Sequence, residues 1–77
     1  MRYHFHVDDH LPNNDADGTE LATLEDVERE ICRLAGQLLV DGSGRFWPQP
    51  AWRIRVTDAA DMPVLTLLIT GVRGSAS

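Results

Sequence analysis

Lysine is absent from the chain, and cysteine occurs once, at Cys32. All seven bases are arginine, a choice that carries no functional weight by itself. A single cysteine excludes an intramolecular disulfide framework as the source of stability. No apolar run approaches the ~18 residues of a membrane helix, and the opening MRYHFHVDD lacks the apolar stretch of a signal peptide. A cytoplasmic protein without membrane contact is therefore expected. A Gly-rich phosphate loop is also missing, and Ser43, Ser75 and Ser77 stand in loop or tail with no assembled His–Asp partners. Seventy-seven residues leave no room for barrels, doubly wound sheets or two-domain enzymes. No nucleophile, general base and oxyanion site can be named together, so the expectation is that the chain is not an enzyme.

What is present reads as one small globular unit, with 43% hydrophobic and 25% charged residues. The charge is unevenly placed. Residues 1–42 hold ten of the twelve acidic residues and three arginines, a net −7, while residues 43–77 hold two acids and four arginines, a net +2. A chain with net charge −5 repels a phosphate backbone, so direct nucleic-acid binding is not expected.

Residues 2–7, RYHFHV, alternate with period two: Tyr3, Phe5 and Val7 to one face, Arg2, His4 and His6 to the other, the pattern of a half-buried strand. Residues 8–18, DDHLPNNDADG, are turn-rich. Thr19-Glu20-Leu21 can pair back onto the first strand. Thr23 then reads as a helix N-cap with Glu25 and Asp26 in the first turn. Leu24, Val27, Ile31, Leu34, Ala35 and Leu38 form one apolar stripe, with Glu25–Arg29 as an i, i+4 pair. Asp41-Gly42 is expected to end the helix, with Gly42 in the left-handed position after it. Gly36 costs about 1 kcal/mol against Ala in a helix interior, so it either admits another backbone or is simply tolerated. Residues 43–51 follow as a loop bounded by Pro48 and Pro50. Residues 52–57 alternate again, with Trp52, Ile54 and Val56 inward. Asp58-Ala59-Ala60-Asp61 suits a hairpin turn into a last strand, 63–70, with Leu65, Leu67 and Ile69 facing the core. The expected fold is α+β: a single amphipathic helix on a small antiparallel sheet, in the order β, short β, α, β, β, with residues 1–70 as the domain and 71–77 as a disordered tail.

These elements resemble a family of small uncharacterised bacterial proteins, classed as a domain of unknown function and frequent in soil and plant-associated bacteria. The resemblance rests on Met1-Arg2-Tyr3-His4-Phe5-His6, on Asp17-Gly18-Thr19-Glu20-Leu21, on the helix start Leu24-Glu25, and on Trp52-Arg53-Ile54-Arg55-Val56-Thr57-Asp58. It spans about residues 1 to 70 and implies no activity. The chain departs from the family pattern in its NNDAD loop and at Asp61, where the family usually turns through Gly; a non-Gly residue there suggests a different turn type.

Two clusters invite a metal reading. His4 and His6 share a strand face about 6.5–7 Å apart, at ~3.3 Å per residue, and with Asp8 or His10 they make a candidate divalent-metal site. The string approaches the H-x-H-x-D-H pattern of metallo-β-lactamase-type hydrolases, but an extra Asp moves His10 out of register and the chain is too short for that fold. The plainer reading makes His4 and His6 solvent-face residues of a strand. Asn13, Asp15, Asp17 and Gly18 match the first half of a calcium loop, which then fails at Glu20 and Leu24; an Asx-rich turn explains them. Cys32 is read as a buried, inert thiol, since no cation stands at i±4.

Phe46, Trp47 and Trp52 cluster within seven positions and either lid the core or form a sticky patch. Arg2, His4, His6, Arg53 and Arg55 should make the outer sheet face cationic. Val64 and Leu68 should also face outward, which with Phe46 and Trp47 gives a candidate interface. The expected function is a small noncatalytic interaction or regulatory module without cofactor, self-associating as a homodimer or docking on a protein partner through its acidic helix. Divalent-metal binding through His4, His6, Asp8 and His10 is the alternative.

Overall fold

The computed structural model describes residues 1–8 and 17–74; His10, Asn13 and Asp15 lie outside them. The described residues form β1 (Arg2–Asp8), β2 (Thr19–Glu20), α1 (Leu24–Phe46), β3 (Ala51–Thr57) and β4 (Pro63–Thr70). The four strands make one antiparallel sheet in the order β2-β1-β3-β4. This is the α+β fold that the alternation of the strands and the helical stripe predict. β1 lies beside β3, and Thr19-Glu20 folds back onto Arg2-Tyr3.

The alternating residues meet in one core. Phe5 and Val7 of β1, Ile54 and Val56 of β3, and Val27, Ile31 and Ala35 of α1 are buried together. Each large apolar side chain taken out of water contributes about 1.5–3 kcal/mol. Leu34, Leu38, Leu65, Leu67 and Ile69 pack against this group while half-buried. Leu24, predicted on the stripe, is exposed in the first turn. Cys32, predicted buried, is exposed: it follows Ile31 by the ~100° step of a 3.6-residue turn, enough to carry it off the core face.

Thr23 caps α1, its Oγ1 accepting from the Asp26 amide at 3.1 Å. Arg29 pairs with Asp26 at i, i+3 instead of the predicted Glu25. Gly36 has open space around it and is simply tolerated. The helix does not end at Gly42. That residue sits at φ −113°, ψ 22°, a kink rather than a left-handed cap, and helix continues to Phe46, capped by Trp47. The continuation turns Phe46 inward against Trp52, and Pro48 and Pro50 then forbid further helix.

The β3–β4 turn is held by Asp58, whose Oδ1 accepts from the amides of Ala60 and Met62 at 2.9 and 3.0 Å. Asp61 adopts φ +63°, so this non-Gly residue itself takes the left-handed conformation. The register shifts at Val56/Thr57, where Val56 faces Leu65 and Thr57 faces Pro63. Val64 is the extra residue of this bulge. The irregularity breaks the strict alternation, so Val64 packs half-buried against the core and not outward as period two predicts.

Candidate functional site

Two surfaces carry the residues singled out in the sequence. The first is the sheet face away from α1. Register places Asp8 opposite Arg53 and His6 opposite Arg55. Asp8 Oδ2 accepts from Arg53 Nε and Nη2, both at 2.9 Å, and from Arg55 Nε at 3.1 Å. Partial burial pushes the Asp8 carboxyl up, but the hydrogen bonds and charges of Arg53 and Arg55 outweigh it and hold the group below its ordinary range. The cationic face expected from Arg2, His4, His6, Arg53 and Arg55 is therefore partly neutralised by a carboxylate on the same face. At the next edge, Glu20 pairs with the N-terminal ammonium at 2.8 Å.

His4 and His6 do share this face, with ring centroids 6.4 Å apart and planes 21° from parallel. His6 Nε2 lies 3.0 Å from Thr57 Oγ1, and its Nδ1 is buried without a partner among the described residues. Asp8 is engaged by two arginines. Among the described residues no three His, Cys, Asp or Glu side chains converge on one point, and His10 lies outside them. The metal alternative finds no support in this arrangement.

The second surface lies where the end of α1 meets β4. Phe46 packs edge-on against Trp47 (centroids 5.4 Å, 76°) and Trp52 (5.0 Å, 87°). Phe46 and Trp52 are buried, so Phe46, predicted at an interface, belongs to the core. Trp47 is 40% exposed, with the Arg73 guanidinium over its ring at 5.5 Å. The Gly71 amide donates to Pro50 O at 2.9 Å, so the chain just beyond β4 is pinned beside these rings. An open apolar groove of about 360 Å³ runs between Leu39, Phe46, Trp47, Ile69 and Gly71. Leu68 is 70% exposed on the outer face, as its alternation predicts. Met62 and Val72, at 59% and 84%, add apolar surface at the two ends of β4; neither was singled out in the sequence, because both lie just beyond a periodic segment. Of the predicted interface set, Trp47 and Leu68 are at the surface, Val64 is half-buried and Phe46 is interior.

No described helix is long and apolar enough to cross a membrane. Neither the curated proteins nor the solved structures contain a match to this chain. The family described as Domain of unknown function (DUF6894) matches residues 2–70, the segment that contains every described strand and the described helix, and the chain belongs to that family.

Proposed function

We propose that this chain is a noncatalytic interaction module that works by self-association through the flank formed by β4 and the end of α1, without a cofactor. The observation that carries this reading is the exposed apolar side chains along this flank: Leu68 on the outer face, Met62 and Val72 just beyond the two ends of β4, and Trp47 lining the groove at the end of α1. One exposed apolar side chain needs no explanation, whereas several along one uncharged strand make a candidate contact surface. A core of one helix stripe and one sheet face is small, and domains of this size often gain stability from oligomerisation. The exposed thiol of Cys32 suits a reducing compartment, in keeping with a cytoplasmic module. Light scattering over a concentration series tests the reading. A mass rising above 8.6 kDa toward twice that value supports it; a constant 8.6 kDa into the millimolar range overturns it.

A further inference from the structure

We infer that a second copy of this chain completes the sheet at β4: the free edges of two β4 strands pair antiparallel about a two-fold axis near Leu67, making one continuous sheet. This rests on the self-association proposed above and gives it a geometry.

The two edges of the sheet are unlike. On the other side the two-residue β2 covers only Arg2 and Tyr3 of β1, with Glu20 paired to the N-terminus; the β1 positions beyond it include His4, His6 and Asp8, and short, charged edges resist further pairing. The β4 edge runs for eight residues and is bounded by no other strand among the described residues. Pro63 and the bulge at Val64 guard only its first end. From Met62 through Val72 there is no charged side chain, so two copies approach along this line without the repulsion that their net −5 imposes elsewhere. The unpaired amides and carbonyls of an edge strand are satisfied by another strand, and an identical strand running the other way presents them in matching order.

Shape selects a second copy over an unrelated peptide. The apolar groove opens at one end of β4, beside Ile69 and Gly71, and exposed Met62 projects at the other. A pairing centred on Leu67 sets Met62 of each copy opposite Val72 of the other, one residue beyond Gly71 of the groove lining. It also sets Leu68 opposite Thr66 and Leu65 opposite Ile69, extending the half-covered inner face. When two copies lie edge to edge, the antiparallel, two-fold arrangement is the one that brings the projecting end of each strand to the grooved end of the other.

Sedimentation velocity on the full chain tests this with two variants. Thr66→Lys/Leu68→Lys alters two exposed positions and sets lysine opposite lysine twice across the axis. Val40→Lys places one such charge on the exposed helix face. The wild type and Val40→Lys are expected to sediment as dimers. The double variant is expected to dissociate, with Kd raised at least about tenfold by opposed like charges and lost apolar contact. Circular dichroism checks that it is folded; if it is not, Leu68→Lys alone is read in its place. A dimeric wild type with an equally dimeric, folded edge variant overturns the edge pairing and leaves self-association standing. Dissociation by Val40→Lys instead also overturns it. A wild type that stays monomeric into the millimolar range removes the underlying reading, and this inference with it.

Discussion

Gly42 and Gly36 stand six residues apart on one helix and should respond oppositely to alanine. A Cβ at Gly42 would meet Trp52 Cη2 at 3.0 Å and Arg45 Nη2 at 3.2 Å. The arginine can move, but Trp52 is buried and cannot, so Gly42→Ala is expected to destabilise by about 1–3 kcal/mol. Gly36 has nothing within 4 Å, and Gly36→Ala is expected to stabilise by about 0.5–1 kcal/mol. Urea denaturation of both variants checks the two signs. Asp8 gives a pH-dependent counterpart. Its carboxyl is held below the ordinary range by Arg53 and Arg55, so its contribution is complete above the unfolded pKa of about 3.9. It is lost as pH falls through the lower folded value. The side chain is 39% exposed and solvent-screened, so Asp8→Asn should cost no more than about 1 kcal/mol near neutrality. Stabilities of wild type and variant should converge in acid. A deficit that persists unchanged at pH 2 would show that the charge is not the cause.

At the scale of elements, legibility followed periodicity. The alternation of Tyr3, Phe5 and Val7 and of Trp52, Ile54 and Val56 set two central strands on their correct faces, and Thr23 marked the helix start. The signals failed where a local rule met a tertiary demand. Gly42 has the chemistry of a helix terminus, but burying Phe46 against Trp52 favours another turn of helix, and the glycine becomes the close-approach point for the Trp52 ring. Val64 alternates on paper, but the bulge that joins turn to strand withdraws it from the face its parity assigns. The candidate site was half legible for the same reason: Leu68 and Trp47 were readable from pattern, whereas Met62 and Val72 acquire meaning only once β4 is an edge. The turn itself makes a prediction. Asp58 satisfies two amides, and Asp58→Ala is expected to destabilise by about 1 kcal/mol or more. Asp61 holds φ +63°, a conformation easier for glycine, so Asp61→Gly should be neutral or slightly stabilising, whereas Asp61→Val should cost about 1–2 kcal/mol. Thermal melts of the three variants should place Asp61→Gly above both Asp58→Ala and Asp61→Val.

For the whole molecule, charge and apolar surface are partitioned in a way that gives direction to any assembly. Acidic residues line the exposed side of α1, and Glu20 closes the short edge of the sheet. Arginines on the outer face are partly spent on Asp8. What remains uncharged is β4 and its surroundings, where the inner face is half-covered, the outer face carries Leu68, and the edge is long. The helix buries the inward residues of β1 and β3, while the inward residues of β4 stay half-covered. That arrangement makes β4 the least finished part of the domain and the place where a second chain adds most. Hydrogen exchange of the β4 amides as a function of protein concentration tests this most directly. Protection across Leu65–Ile69 is expected to rise with concentration while the amides of β2 stay unchanged. Protection of β4 that is the same from micromolar to millimolar protein would contradict it.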